Sequence, residues 1–262
     1  MIYRYFLKLK YILASKAFFI TIFISLILIT VSNAQWLIDE YINHTNNYSI
    51  FNKLLLMKNE TKGSYIFYWA FPLLASTPCS WNYSRISKNE QNQTNTSIKN
   101  TFTQISIAFI TGGIVIFLSF IIDFWMLSMI TKTVYAVPND MTTSYHPQQF
   151  CSQIFFESPR LFVLIWSFIG FLWGGAFSLL SMALYFIVKK LPIMYFLEIA
   201  IYILNYLISI KLHITPWNNL LCASYSSENF FYNILSVICI SIIFLFLKYF
   251  IEKIFKRNME NI

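Results

Sequence analysis

Charge is what this sequence has least of. Only 11% of its 262 residues are Asp, Glu, Lys or Arg, against about 25% in an average soluble domain. Nineteen basic side chains, 11 acidic ones and 3 histidines cannot cover the water-facing surface of a soluble chain this long. Glycine and proline are scarce too, at 6 and 7 residues, which excludes collagen-like and low-complexity disordered chains. The histidines are His44, His146 and His213, and no His-Glu-x-x-His or Cys-x-x-Cys pairing occurs. Gly-x-Ser-x-Gly and the phosphate loop Gly-x-x-x-x-Gly-Lys-Ser/Thr are also missing. The chain is therefore not expected to be an enzyme, to hold a metal or cofactor, or to bind ATP itself.

What is present is apolar: 57% hydrophobic residues, with 27 Phe, 17 Tyr and 7 Trp. A segment crossing hydrocarbon must satisfy its own backbone, and as a helix it needs about 20 apolar residues. Six runs qualify, at 17–38, 63–84, 100–122, 161–188, 191–210 and 229–247. None shows the short alternating pattern of barrel strands. The expected fold is all-α, a single transmembrane domain over 1–262 with six spans.

Thirteen of the 19 basic residues fall on one side of this layout, in the N-terminus, the second and fourth connections and the C-terminus. Since Lys and Arg are retained on the cytoplasmic side, both termini are expected there. The net charge of +8 then belongs to the inner face of the lipid bilayer, whose anionic lipids attract it, and not to a nucleic-acid site. A competing reading takes Ser32-Asn33-Ala34 as a cleavage site after a basic and then apolar leader. That would leave five spans.

Residues 1–16 carry Arg4 and Lys8 one turn apart, with Ile2, Phe6, Leu9 and Leu13 at helical spacing. The pattern suits an amphipathic helix on the inner surface, or a basic flank with no partner. Outer segments 39–62 and 123–160 are long enough for small caps. The inner stretch 85–97 has Ile86 as its one large apolar residue, which predicts a loop or short surface helix. Asn-x-Ser/Thr triplets begin at Asn43, Asn47, Asn59, Asn82, Asn92 and Asn95, but the latter three lie at or beyond the inner end of the second span, so general Asn, Ser and Thr richness explains them better than glycosylation. Cys151 and Cys222 could pair on the outer side or remain thiols.

Two intramembrane patterns stand out. Ser167, Gly170, Gly174, Ser178 and Ser181 form a ribbon of small side chains on the fourth span, widened by Gly175. Such ribbons let helices approach closely, within one subunit or across a dimer. On the fifth span Glu198, Tyr202, Asn205 and Ser209 share one face. A carboxylate inside a span is costly unless it meets protein or water, so this face is a candidate substrate or ion path. The alternative is that Glu198 pairs locally with Lys189 or Lys190. Asp123, at the outer end of the third span, has the same two readings, with Lys132 or Arg160 as partner. Pro72 and Pro78 interrupt the second span and free carbonyls that need other donors.

Several short segments carry a family resemblance. These are Leu13-Ala14-Ser15-Lys16-Ala17-Phe18 before the first span, Phe71-Pro72-Leu73-Leu74-Ala75 in the second, and Ala108-Phe109-Ile110-Thr111-Gly112-Gly113 in the third. Ser158-Pro159-Arg160-Leu161-Phe162 opens the fourth, which runs through Gly174-Gly175 to Lys189-Lys190. In order and topology the whole chain resembles the six-span permease subunits of ABC-2 class bacterial transporters. The resemblance implies a multi-pass protein of the bacterial plasma membrane that exports a peptide, toxin, drug or lipid-like compound. Its implied partners are a separate nucleotide-binding ATPase subunit and a second permease, either a copy or a relative. ATPase coupling would use the N-terminal helix and the inner connection after the second span, here Arg4, Lys8, Arg85, Lys88 and Glu90. In that connection the family often has an acidic residue, basic residues and a glycine, where this chain reads Ser84-Arg85-Ile86-Ser87-Lys88. A non-transporting immunity or assembly protein acting through its outer segments is the alternative function, and an intramembrane peptidase is a third that the placement of the histidines disfavours.

Overall fold

A computed structural model describes residues 2–43, 54, 62–90, 98–130, 152–212, 217 and 230–259. The described residues form eight helices: α1 (Ile2–Leu13), α2 (Lys16–Asn43), α3 (Lys62–Glu90), α4 (Ile98–Ile130), α5 (Ser152–Glu157), α6 (Pro159–Val188), α7 (Leu191–Leu212) and α8 (Phe230–Met259). Five of them, α2, α4, α6, α7 and α8, are long and apolar enough to cross a membrane. The fold is that of an α-helical, multi-pass membrane protein.

The second expected span differs in character from the others. A helix of 29 residues covers it, about 44 Å at 1.5 Å per residue, but α3 is not among the five apolar ones. Its Ser64, Ser76, Ser80, Asn82 and both prolines are buried against other helices. A helix enclosed by protein can carry polar groups that a lipid-facing helix cannot. In α7 and α8, by contrast, Phe196, Leu204, Leu207, Ile243 and Phe246 point outward, as lipid-facing sides require. Several hydroxyls on the apolar helices bond their own turn: Thr21 donates to the Ala17 carbonyl at 2.8 Å and Ser241 to the Val237 carbonyl at 2.7 Å.

The expected surface helix is present as α1, with a different inward face. Ile12 is buried, and Tyr5 and Leu9 pack with it against Cys79, Ile107, Ala108 and Met182, while Phe6 is exposed. The Leu13-Ala14-Ser15 corner follows, where Ser15 Oγ caps α2 by accepting from the Phe18 amide at 3.3 Å. Asn82 Nδ2 donates to the same oxygen at 2.7 Å and to the Pro78 carbonyl, so α3 is pinned to the α1–α2 corner. Being buried and bonded, Asn82 is no glycan acceptor. Ser32 and Asn33, in the suggested cleavage triplet, are also buried within a continuous helix.

The α6–α7 reversal is abrupt. Lys189 adopts the left-handed conformation at φ 55° and donates its amide to the Tyr185 carbonyl at 2.8 Å, which closes α6, and α7 begins two residues on. The first and second outer segments lie largely outside the described residues, as do all three histidines, Cys151, Cys222 and Lys132. Within the second, α5 seats buried Phe155 against Phe162, with ring centroids 5.2 Å apart.

The small ribbon of α6 lies against α4, the most extensive helix pairing in the molecule. A Cβ added to Gly174 would meet the Gly112 carbonyl oxygen at 2.5 Å, and one added to Gly170 would meet the Phe120 ring at 2.6 Å. At Gly175 the neighbour is the Phe109 ring at 2.7 Å. Backbone cannot yield as a ring can, so Gly174→Ala is expected to lower thermal stability in mild detergent clearly more than Gly175→Ala does. Overpacking of this kind costs about 1–3 kcal/mol. Equal losses in the two variants would count against a backbone-to-backbone contact at Gly174.

Candidate functional site

Pro72 in the middle of α3 has no amide hydrogen, so the carbonyl of Tyr68, four residues earlier, loses its helical donor. Inside a bundle that oxygen must find another. It does: Tyr202 on α7 donates its hydroxyl to the Tyr68 carbonyl at 2.9 Å. The Tyr202 ring sits edge-on to Trp69 at 5.8 Å and to Phe177 of α6 at 5.4 Å. One proline thus recruits a tyrosine from a helix more than a hundred residues away.

One turn before Tyr202 on α7, Glu198 lies fully buried where α3, α6 and α7 meet. Ser76 Oγ donates to its Oε2 at 3.0 Å. Its other oxygen, Oε1, has no hydrogen-bond partner among the described residues, and neither has Ser181 Oγ, which lies beside the carboxyl from α6. Below this group, toward the α6–α7 turn, Ser80 Oγ and the Tyr195 hydroxyl are 2.9 Å apart. Lys189 and Lys190 are exposed at the turn itself, so Glu198 is engaged by Ser76, with Ser181 beside it, and not by its nearest cations along the chain.

The four residues of the α7 face do share one side of the helix, and each has a distinct role. Glu198 and Tyr202 engage α3. Asn205 Oδ1 accepts from the Trp217 amide at 3.1 Å, fastening the following connection, and Trp217 packs its indole on Phe177 at 5.7 Å. Ser209 is buried with its hydroxyl unpartnered among the described residues. The same is true of Trp69 Nε1, Trp173 Nε1 and Ser178 Oγ, so unmatched polar atoms concentrate on α3, α6 and α7.

The small residues of α6 divide between two directions. Gly170, Gly174 and Ser178 face α4, where Ser178 adjoins Gly112, whereas Ser181 turns toward Glu198. Sequence reading missed Ser76, Ser80 and Tyr195. A signal for the first two existed, because Pro72, Ser76 and Ser80 recur at intervals of four on α3 and so form one stripe.

Asp123 also needs correction. It lies well inside α4, which continues to Ile130, and it is fully buried. Asn33 Nδ2 of α2 donates to its Oδ1 at 3.1 Å, and of the two suggested cations Lys132 lies outside the described residues. Arg160 is exposed at the start of α6. In the coupling set, Lys8 is exposed on α1, and Arg85, Lys88 and Glu90 occupy the last turns of α3. Arg4 lies in the first turn of α1.

The Tyr202–Tyr68 bond predicts a specific non-additivity. Tyr202→Phe leaves a buried carbonyl unmatched, an expected loss of about 1–3 kcal/mol. Pro72→Ala restores an amide four residues beyond Tyr68, so in that background Tyr202→Phe should cost much less. Thermal unfolding of the two single variants and the double variant measures the coupling, and simple additivity would show that the hydroxyl does not replace the missing amide.

No protein-family model, no curated protein and no solved structure matches the chain.

Proposed function

We propose that this chain is the membrane-spanning permease subunit of an ATP-driven bacterial exporter, with six spans, both termini cytoplasmic, and the nucleotide-binding site on a separate ATPase subunit. The observation that carries the reading is where α1 sits. Packing of Ile12 against Cys79, Ile107, Ala108 and Met182, together with the Asn82–Ser15 bond, brings α1 to the end of the bundle at which α3 terminates. The N-terminal helix and the last turns of α3, which lead into the connection that a permease of this class uses to engage its ATPase, thereby lie at one end of the bundle. Lys248 of α8 also lies at this end, with Nζ 4.6 Å from the Phe186 ring centroid, as do the exposed Lys189 and Lys190. The described Lys189, Lys190 and Lys248 thus share the end of the bundle to which α1 packs, which supports a cytoplasmic assignment of that end.

On this reading the mechanism runs through contacts already described. Movement of α1 on the ATPase shifts the Ser15 corner, and Asn82 passes the shift to α3. Helix α3 yields at Pro72, where a helical bond is missing. Through Ser76–Glu198 and Tyr202–Tyr68 it moves α7 relative to α6. ATP binding favours one arrangement only to the extent that the ATPase binds that arrangement more tightly. The cargo is a peptide, toxin, drug or lipid-like compound, and a second permease completes the assembly.

Purification of the full chain from native bacterial membranes in mild detergent tests the proposal, the expected result being recovery of a nucleotide-binding subunit. Joint Lys8→Glu and Arg85→Glu reversal is expected to cut that recovery several-fold, since each rim charge contributes on the order of 1 kcal/mol. Absence of any nucleotide-binding protein, with no ATP-dependent transport after reconstitution, would sink the assignment.

A further inference from the structure

Glu198 combines three features that an ionised carboxylate tolerates poorly. It has no solvent exposure. One of its oxygens lacks a hydrogen-bond partner among the described residues. No cationic side chain among the described residues contacts it: around the carboxyl stand the hydroxyls of Ser76 and Ser181, and Lys189 and Lys190 lie exposed about two turns away at the α6–α7 turn. A bare charge in that setting is costly within a membrane-spanning helix. A neutral acid is not, and it also resolves the unmatched atoms, because a carboxylic acid carries a donor that a carboxylate lacks.

We propose that Glu198 is a proton-binding site of the bundle: it keeps its proton on Oε1, donates that O–H as a hydrogen bond to Ser181 Oγ, and accepts a hydrogen bond from Ser76 on Oε2. One hydroxyl from α3 and one from α6 then recognise opposite sides of the acid carried by α7. Loss of the proton to water leaves a buried anion with no cation beside it among the described residues, so ionisation favours an arrangement in which α7 draws away from α3 and α6 and water reaches the carboxylate. The proton is thus a ligand of the docked arrangement. Other titratable groups near the site are the Cys79 thiol of α3 and the Tyr195 and Tyr202 phenols of α7. Tyr195 is paired with Ser80 and Tyr202 with the Tyr68 carbonyl. From α6, Tyr185 lies one turn beyond Ser181, edge-on to Tyr83 at 6.4 Å. None of these phenols and thiols is cationic in either protonation state. The site is built from contacts within one chain, so the ATPase copurification result bears on the transporter reading and leaves this assignment untouched.

Infrared spectroscopy of the full chain in lipid vesicles tests it. At about pH 7, solvent-exposed Asp and Glu are ionised, and the C=O stretch of a protonated carboxylic acid reports a buried neutral acid. The wild type is expected to show such a band, Glu198→Gln to lose it, and Asp123→Asn to retain it. Ser181→Ala should keep the band and move it to higher frequency, because one hydrogen bond to the acid is gone. A folded Glu198→Gln protein whose acid band equals that of wild type would overturn the proposal, as would a wild type with no acid band, which is the result expected of a carboxylate holding a monovalent cation. Should Glu198→Gln not fold, Ser181→Ala decides: a band unmoved from its wild-type frequency means that the acid beside Ser181 is not the one observed.

Discussion

The backbones of α4 and α6 approach one another at Gly112 and Gly174, where neither position has room for a methyl group. In lipid no hydrophobic force drives two apolar helices together, so close packing must supply the attraction. Small residues at the crossing make that approach available, and the large residues around it fill the space on either side: Phe120 over Gly170, Phe109 over Gly175 and Phe171 over Gly113. Helix α6, fixed in this way, is the element on which α3, α5, α7 and α8 also pack. Its other face carries Phe177 and Ser181 toward α3 and α7, so the depth at which α6 sits on α4 sets which of these side chains meets Glu198 and which meets Tyr202.

Enclosure of α3 by its neighbours has a chemical consequence. The exposed sides of α7 and α8 are mostly Ile, Leu and Phe, whereas α3 holds two prolines, several serines and Asn82. Each of those would be a liability in hydrocarbon, and several are matched by protein. Tyr202 stands in for the amide that Pro72 lacks, Tyr195 meets Ser80, Ser15 meets Asn82, and Glu198 meets Ser76. The polar atoms of α3 therefore specify where α7 and the α1–α2 corner must dock. Apolar packing alone would leave the register of those helices loosely defined, because one Leu contact is much like the next.

Much of the site was legible as a pattern and little of it as a set of partners. The face formed by Glu198, Tyr202, Asn205 and Ser209 followed from the helical period, and so did the ribbon on α6. The prolines announced that carbonyls would be freed. Which group would satisfy them was not readable, since Tyr202 and Tyr68 are 134 positions apart and no local rule links them. Lys189 and Lys190 are the nearest charges to Glu198 along the chain, yet the turn that ends α6 leaves both lysines exposed. Asp123 shows the same limit: Asn33, which donates to it, is 90 positions away, and no local rule links the two.

By itself the sequence determined that the chain belongs in a membrane, how many long helices it forms, nearly where each begins, and which few side chains cannot face lipid. Those properties depend on composition and on a period of 3.6 residues, both of which are local. Tertiary structure alone decided that α3 is an interior helix and not one more lipid-facing span, that Phe6 and not Tyr5 faces outward on α1, and that Ser181 leaves the small ribbon to meet Glu198. Each of these depends on how one helix is rotated and translated against another. That is fixed by the summed fit of side chains distant in sequence, above all at Gly112 and Gly174, where the permitted distance between two backbones is set by the absence of a single carbon atom.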